Sequence, residues 1–236
     1  MKILALDSSG LVASVAVMED DIMLAEYTMN YKKTHSQTLL PMLDEMAKMI
    51  ELDLNTVDAI AVAGGPGSFT GLRIGSATAK GLGLALKKPL ISIPTVDGLA
   101  YNLCGTDKLV CPLMDARRNQ VYTGIYEFEG NELKVLEPQM AVDVTEIAEK
   151  LNALGREVIF LGDGWPVYKA KLAEVLTIPY MAAPAHMSRQ RAGALVSLAM
   201  CYVKEGKMET AVEHQPDYLR VSQAERERAE KNANLS

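Results

Sequence analysis

The residues of this sequence that could do chemistry begin with a glycine turn, GGPGS at 64–68. An apolar run leads into it and a helical pattern follows, so free backbone N–H groups at the helix start could hold a phosphate. The turn is not a P-loop, since no Lys-Ser/Thr pair follows at the required spacing, and it is not GxGxxG. Ser68 or Thr70 as a helix N-cap explains the same residues without a ligand. Gly65, Gly67 and Ser68 are therefore candidates for nucleotide contact, beside a structural alternative.

Two aspartates and two arginines form the next candidate group. Asp7 and Asp115 each end an apolar run, and Arg117 and Arg118 follow the second of them in DARRN. An aspartate that opens a turn also accepts backbone N–H bonds within that turn. The arginines could form bidentate hydrogen bonds with a phosphate or with a carboxylate of a partner, or they could form a solvated hairpin tip. A binding role and a structural role therefore both stay open for the two aspartates and for the two arginines.

Metal and nucleophile chemistry find little support in the sequence. The histidines, His35, His186 and His214, are isolated, and none has a second histidine four residues away on a helix. We expect His35 to be a surface or cap residue. The cysteines, Cys104, Cys111 and Cys201, form no CxxC pair and are expected to be buried small hydrophobes. No GxSxG segment marks an exposed serine. The prediction is no catalytic residue, no metal site and no cofactor required by this chain.

The helix after the glycine turn carries glycines that a stable helix should avoid. Gly71, Gly75, Ala79 and Gly83 are four residues apart and share one face. Three internal glycines cost about 2–3 kcal/mol relative to alanine unless close packing compensates. Small residues let another helix approach closely. We interpret this face as a contact surface for a second protein.

The preceding helical pattern, 36–50, supplies the other half of this surface. Its stripe includes Leu39, Leu43 and Met46, and Met42 and Met49 widen it. Methionine is common where partners bind. The predicted partner-binding set is Leu39, Met42, Leu43, Met46, Gly71, Gly75, Ala79 and Gly83. The alternative is that both helices pack only against their own sheet.

Composition and charge exclude several classes of protein. Charged residues make up 23% and hydrophobic residues 49% of the 236 residues, and no apolar run reaches the roughly 18 residues of a membrane span. The first charge after Lys2 comes at Asp7, too early for the apolar part of a signal peptide. The expectation is a cytoplasmic protein without membrane contact. A net charge of −6 disfavours direct binding of nucleic acid. The tail 217–231 mixes both signs and is expected to be a solvated helix end or frayed terminus.

The chain repeats its own plan after about a hundred residues. In each half three strands are followed by a helix, a buried strand, a glycine turn and a further helix; the second turn is Gly162-Asp163-Gly164. The pattern predicts a duplicated α/β fold with mixed sheets flanked by helices. We expect one lobe at 1–103 plus 188–236, closed by a final helix at 189–204, and a second lobe at 104–187.

This plan is similar to the two-lobed fold of actin, the heat-shock ATPases and the sugar kinases, the ASKHA superfamily. Within it, the stretches ILALDSS, THSQTLLPML, GPGSFTGLRIGSATAKGLGLAL, PLISIPTVDGLA, PLMDARRNQVYTGIY and PDYLR resemble the TsaB (YeaZ) family along nearly the whole chain. In kinases and ATPases of that superfamily, carboxylates placed like Asp7 and Asp115 organise Mg²⁺ and phosphates. The resemblance therefore makes Asp7 a candidate nucleotide contact.

The resemblance implies a function in making threonylcarbamoyladenosine (t6A) in tRNA. Members of the TsaB family pair through the two helices above with TsaD, which transfers the threonylcarbamoyl group, and the ATPase TsaE completes the assembly. TsaD carries an HxxxH metal motif where this chain has Thr95 and Leu99. The implied role is a non-catalytic subunit that activates TsaD and meets tRNA only through the complex, with an ATP or ADP contact at a subunit junction. The alternatives are a small free-standing ATPase or kinase and, with least support, a metallopeptidase; a homodimer through the same helices stays open.

Overall fold

The computed structural model describes residues 1–31 and 33–219, and all structural statements refer to these residues. The predicted tail at 217–231 and the end of the PDYLR stretch lie largely outside them. The strands are β1 Lys2–Asp7, β2 Ala13–Glu19, β3 Ile22–Met29, β4 Ala59–Gly65, β5 Leu90–Pro94, β6 Leu109–Asp115, β7 Gln120–Glu129, β8 Glu132–Asp143, β9 Val158–Leu161 and β10 Tyr180–Ala182. The helices are α1 His35–Met49, α2 Phe69–Leu86, α3 Thr95–Ala100, α4 Val144–Leu154, α5 Trp165–Val175 and α6 Ala192–Lys204.

The two halves of the chain build two sheets of the same topology. The first sheet has the strand order β3-β2-β1-β4-β5, and the second has β8-β7-β6-β9-β10. In each sheet the first three strands are antiparallel and the remaining two run parallel to the first. The predicted duplication is confirmed, and the fold is the two-lobed α/β type with mixed sheets.

Alternation along β1 shows how the first sheet is buried on both faces. Leu4 and Leu6 pack towards α1 and α2, whereas Ile3 and Ala5 pack towards α6. The second sheet is covered in the same way, by α4 and α5 on one face and by α3 on the other. Each lobe supplies one helix to the other. Helix α3 follows the first sheet in the chain but packs on the second sheet, and helix α6 follows the second sheet but packs on the first. The lobe boundaries at 103/104 and 187/188 stay a prediction.

Helix α6 begins three residues later than expected, because the residues before it bind elsewhere. Arg189 Nη1 donates to the carbonyl of Gly162 at 2.7 Å. Arg191 binds both carboxylate oxygens of Glu26, and the N–H of Ala192 donates to Ser14 Oγ at 2.8 Å. These bonds hold 189–191 as an extended connection between the lobes.

A further hydrogen bond joins the lobes. On α3, the buried Asp97 accepts a hydrogen bond of 2.7 Å from Tyr126 Oη on β7. After α6, residues 208–219 run back along the first lobe: Glu209 forms a bridge with Leu90, and Lys80 Nζ donates to the carbonyl of His214 at 2.8 Å. We call residues 208–219 the C-terminal strap. In the described ranges, no helix is long and apolar enough to cross a membrane.

Candidate functional site

A cleft of about 450 Å³ opens between the lobes at the ends of β1 and β6. The first lobe lines it with the β1–β2 turn, the start of α1 and the start of α2, and the second lobe lines it with the ends of β6 and β9. The lining side chains used below are those of Ser9, His35, Ser68, Phe69, Asp115, Arg117 and Asp163. Of the predicted nucleotide contacts, Gly67 and Ser68 reach this cleft, whereas Asp7 and Gly65 do not line it.

Asp7 is buried beneath the β1–β2 turn. Its Oδ1 accepts hydrogen bonds from the N–H and Oγ of Ser9, at 2.8 and 2.6 Å. Burial raises the pKa of Asp7 above its usual range, and the two bonds from Ser9 oppose this effect. The carboxylate therefore serves to shape its own turn, as the structural alternative predicted.

The glycine turn is filled by backbone of the same chain. Gly65 has φ +120°, its N–H donates to Thr95 Oγ1 at 3.1 Å, and the carbonyl of Asp217 occupies the space of a side chain there. The carbonyl of Ser9 does the same at Gly67 and also accepts the N–H of Ser68 at 2.7 Å. The absence of side chains at Gly65 and Gly67 is thus used by close approaches within the chain.

Ser68 caps α2, as the sequence predicts. Its Oγ accepts the N–H of Gly71 at 3.3 Å, and its own N–H is used by Ser9. Phe69, the first residue of α2, lies between the guanidinium of Arg73, 4.0 Å from its ring, and the ring of Tyr218 in the C-terminal strap. These contacts fix the helix start, and two of its N–H groups are satisfied within the chain.

The floor of the cleft is acidic. Asp115 accepts hydrogen bonds from Tyr168 Oη at 2.8 Å and from the N–H of Arg117 at 2.9 Å. The N–H of Asp115 donates to Asp163 Oδ1 at 3.1 Å. Burial raises the pKa of Asp163, and the bond from Asp115 opposes it. Asp163 was not among the residues predicted from the sequence. It lies in the second glycine turn, which has the same position in the second half as GGPG has in the first half, and this repeat could have identified it.

The DARRN segment turns tightly at the rim of the cleft. Arg117, Arg118 and Asn119 have φ values of 65°, 56° and 61°, so three successive non-glycine residues adopt the left-handed conformation. Each costs about 1–2 kcal/mol. Arg117 Nη1 lies 3.2 Å from Asp115 Oδ2, with the arginine side chain 86% exposed. Strain of this kind clusters at functional sites, so a role beyond a solvated hairpin tip stays open for both arginines.

The cleft can offer carboxylate and hydroxyl groups to hydroxyl or amine groups of a ligand. Two carboxylates on its floor oppose the approach of a polyphosphate, and Arg117 at the rim already pairs with one of them. His35 Nε2 lies 2.8 Å from the carbonyl of Gly10, which identifies Nε2 as the protonated nitrogen. Among the described residues, no group of three or more His, Cys, Asp or Glu side chains is arranged to hold a metal ion.

The small-residue face of α2 points inward in this chain, towards its own backbone. Gly71, Gly75, Ala79 and Gly83 are all buried within the chain. A Cβ at Gly71 would lie well inside 3.0 Å of the carbonyl of Ser8, and one at Gly75 would lie 2.6 Å from Ser8 Oγ. A Cβ at Gly83 would lie 3.0 Å from the side chain of Leu90 on β5 and 3.1 Å from the side chain of Ala211 in the strap. The glycines do allow a close approach, but what approaches is the chain's own β1–β2 turn and strap.

The α1 part of the predicted set is buried in the same way. Leu39, Met42, Leu43 and Met46 are at most 6% exposed and pack with the first sheet in one cluster. All eight predicted residues are thus buried in the chain by itself, where one stripe of each helix packs on its own sheet. Their contact with a second protein stays a prediction.

The outward faces of the same helices do carry exposed apolar surface. Leu40, Met49 and Leu84 are 53%, 70% and 59% exposed. Ala77 and Gly81 share a face of α2 with Leu84, and a Cβ at Gly81 would meet nothing within 4 Å. We call Leu40, Met49, Ala77, Gly81 and Leu84 the helical surface.

The cysteine prediction holds for one residue of three. Cys111 is buried, whereas Cys104 and Cys201 are half-buried on either side of the Tyr101 hydroxyl, and all three are free thiols. Burial raises the pKa of Cys111 to about 12, so this thiol is inert at neutral pH.

Comparison with known proteins adds relatives to this geometry. The family model described as TsaD, tRNA N6-adenosine threonylcarbamoyltransferase, matches residues 23–228. The tRNA threonylcarbamoyladenosine biosynthesis protein TsaB of Bacillus subtilis is 33% identical over 225 residues, which cover 95% of this chain and 96% of the relative. TsaB of Escherichia coli is 32% identical, with 93% and 95% covered.

Solved structures agree with the sequence relatives. The structure called YeaZ from Pseudomonas aeruginosa superposes with a TM-score of 0.79 at 29% identity, covering 92% of this chain and 99% of that one. A second structure, described as an uncharacterized protein with similarity to peptidase YEAZ from Pseudomonas aeruginosa, gives 0.80 at 30% identity, with 93% and 99% covered.

Proposed function

The chain belongs to the TsaB (YeaZ) family of t6A biosynthesis proteins, and from that premise we propose that it is a non-catalytic subunit that binds and activates a TsaD-type threonylcarbamoyltransferase. Its relatives by name act in tRNA threonylcarbamoyladenosine biosynthesis. The proposal adds that the transfer chemistry belongs to the partner, with a TsaE-type ATPase in the same assembly. Contact with tRNA then passes through the complex, and a cytoplasmic location follows from that substrate.

The non-catalytic role is supported mainly by the side chains of α3, which make contacts within the fold. Thr95 and Leu99 stand where the resemblance implies the two metal-binding histidines of TsaD. Thr95 Oγ1 accepts the N–H of Gly65, and Leu99 is 1% exposed in the apolar cluster under the second sheet. Both side chains are therefore committed to the fold, and neither faces the cleft. This supports a chain that kept the architecture of its relative without the metal ligands.

The surface we propose for the partner is the helical surface. Its large apolar side chains are exposed on α1 and α2, which pack side by side. Ala77 and Gly81 are exposed on α2 as well, so the backbone of α2 is open to close approach by a helix of the partner. Exposed apolar patches of this kind mark interaction sites. The buried glycine face of α2 supports the same contact indirectly, because it fixes α2 on its sheet.

The experiment combines purified wild-type chain, the TsaD-type and TsaE-type proteins of the same organism, tRNA, ATP, threonine and the enzyme that makes threonylcarbamoyladenylate. We expect t6A formation to fail when this chain is omitted. Gly81→Arg is expected to abolish co-elution with the TsaD-type protein, because an arginine fills the open space on the helical surface. Ala170→Arg on α5, the counterpart of α2 in the second half, is the matched control and is expected to bind normally.

Two outcomes contradict the proposal. Unchanged affinity of Gly81→Arg for the TsaD-type protein would remove the helical surface from the interface. Steady ATP hydrolysis by the purified chain alone, lost in Asp163→Asn, would instead favour the free-standing ATPase. An ATP or ADP contact at the junction with the partner predicts nucleotide binding by the complex that neither protein shows alone.

A further inference from the structure

A groove of about 320 Å³ runs between the end of α2 and the C-terminal strap. Its walls are mainly apolar, and the lining residues used below are Gly83, Leu84, Lys87, Lys88, Ala211 and Val212. Leu84 and Val212 are 59% and 74% exposed, so each leaves most of an aliphatic side chain in water. Exposed apolar surface that lines a concave groove is typical of a binding site.

The floor of the groove is formed by a close approach of the strap to α2. The space that a side chain would take at Gly83 is filled in part by the Cβ of Ala211. Lys80 Nζ on α2 donates to the carbonyl of Val212 at 3.3 Å, in addition to its bond with the carbonyl of His214. These contacts fix the strap on α2, so the groove is present in the chain by itself.

The rim of the groove is basic. Lys87 and Lys88 follow α2, a helix that contains no acidic residue. Within the described ranges neither lysine forms a salt bridge, and the carboxylates of Glu209 and Glu213 lie within hydrogen-bond distance of other residues of the strap. In a chain with a net charge of −6, this rim is a local positive patch.

Lys87 has an unusual backbone conformation for a lysine. It ends α2 with φ 56° and ψ 45°, in the left-handed region that favours glycine after a helix. Helix α4 has the usual glycine there, Gly155 with φ 64°. The helix dipole favours a basic residue such as Lys88 near the end of α2, but it does not explain a lysine at the position that favours glycine. A side chain held in an unfavourable conformation indicates a function for that side chain.

We propose that the groove receives an acidic segment of the TsaD-type partner, with a large apolar side chain between Leu84 and Val212 and carboxylates paired with Lys87 and Lys88. This assignment rests on the proposed function and adds the C-terminal strap to the surface that the partner covers. Leu84 belongs to both the helical surface and the groove, so a partner that lies on α2 reaches both. The basic rim determines that the segment is acidic, because complementary charges favour the encounter and like charges oppose it.

Isothermal titration calorimetry of the full chain with the purified TsaD-type protein tests the apolar contact. Val212→Asp places a charge in the groove and is expected to raise Kd at least about tenfold. Val167→Asp, at a valine on α5 that is 56% exposed, is the matched control and is expected to bind like the wild type. Both side chains are exposed in the chain alone, so neither substitution should lower the unfolding midpoint measurably.

Reversal of the rim charges tests the acidic nature of the partner segment. Lys87→Glu together with Lys88→Glu is expected to lower the association rate constant about tenfold at low salt. Replacing both lysines by glutamine should lower it less, and the differences should shrink as the ionic strength rises. Lys169→Glu together with Lys204→Glu makes the same change in net charge at exposed positions outside the groove and is the matched control.

Lys87→Gly separates binding from stability. Glycine fits the left-handed conformation, so the unfolding midpoint is expected to rise by about 1–3 °C. The same substitution removes a rim charge and is expected to weaken binding of the TsaD-type protein. A lysine with only a structural role would instead leave the affinity unchanged.

The possible results distinguish the groove from the proposed function. If Gly81→Arg abolishes binding while Val212→Asp and the reversal at Lys87 and Lys88 bind like the wild type, the groove assignment is wrong and the proposed function stands. No binding of the TsaD-type protein by the wild-type chain would overturn both.

Two further results would assign the groove to a different occupant and overturn the proposal. A gain of affinity in Val212→Asp that removal of residues 220–236 reproduces would identify the chain's own tail. Loss of self-association in Val212→Asp, with unchanged affinity for the TsaD-type protein, would identify a second copy of this chain. Analytical ultracentrifugation of the wild type and the variant measures that self-association.

Discussion

Replacing Gly71 and Gly81 separately by alanine should shift the stability of the isolated chain in opposite directions. Both glycines lie within α2, so each replacement gains about 0.5–1 kcal/mol of helix propensity. At Gly81 the new methyl group meets nothing within 4 Å. Gly81→Ala should therefore be more stable than the wild type by the full gain.

At Gly71 the methyl group meets the backbone of the β1–β2 turn. It would lie well inside 3.0 Å of the carbonyl oxygen of Ser8, so the turn must move. Moving it weakens two hydrogen bonds, from Ser8 Oγ to the Gly71 carbonyl at 2.9 Å and from the Ser68 N–H to the Ser9 carbonyl at 2.7 Å. Each is worth about 1 kcal/mol, and overpacking adds about 1–3 kcal/mol. After the helix gain, a net loss of about 2–4 kcal/mol is expected.

Thermal unfolding followed by circular dichroism measures both effects. For a chain of this length 1 kcal/mol corresponds to about 2–4 °C, so the midpoint should fall by about 4–16 °C for Gly71→Ala and rise by about 1–4 °C for Gly81→Ala. Shifts of the same sign in the two variants would refute the inward orientation of the small-residue face. A Gly71→Ala variant as stable as the wild type would do so too.

Two further predictions concern buried carboxylates. The fold raises the pKa of Asp7, so the wild type loses stability as pH rises and Asp7 ionises. The variant Asp7→Asn keeps an acceptor for Ser9 and carries no charge. Urea unfolding should therefore show it more stable than the wild type at neutral pH, and this difference should vanish in acid. Tyr126→Phe removes the 2.7 Å bond to Asp97 and should cost about 2–3 kcal/mol. That bond opposes the rise in the pKa of Asp97 caused by burial, so the loss should be largest at high pH and shrink as Asp97 is protonated. A loss independent of pH, or one that persists in Asp97→Asn, would contradict this reasoning.

Local patterns predicted the elements of the fold well. Helix α1 is displaced by only one residue at each end from the expected 36–50. The repeated order of strands, helix and glycine turn was sufficient for the duplication, because each half has its own periodicity. Strand β8 continues through Pro138, a residue that usually ends a strand, because register shifts in its pairing with β7 accommodate it at an edge.

Long-range packing explains what sequence patterns missed. The spacing of Gly71, Gly75 and Gly83 correctly indicated a close approach, but spacing does not identify the neighbour. Here the neighbours are Ser8, 63 residues away, and Ala211 in the strap. The role of Asp163 depends on the backbone of Asp115, on a different strand, so neither local motif showed the pair.

The commitment of α3 to the core has a consequence for what this chain could become. Histidine at 95 would remove the acceptor of the Gly65 N–H, and histidine at 99 would place a polar ring in an apolar cluster, where burying an unsatisfied polar group costs about 1–3 kcal/mol. Restoring two ligands would thus damage the glycine turn and the contact between the lobes before any metal was bound. Two substitutions cannot build such a site without several others around them, so the dependence on a catalytic partner that we propose would be difficult to reverse.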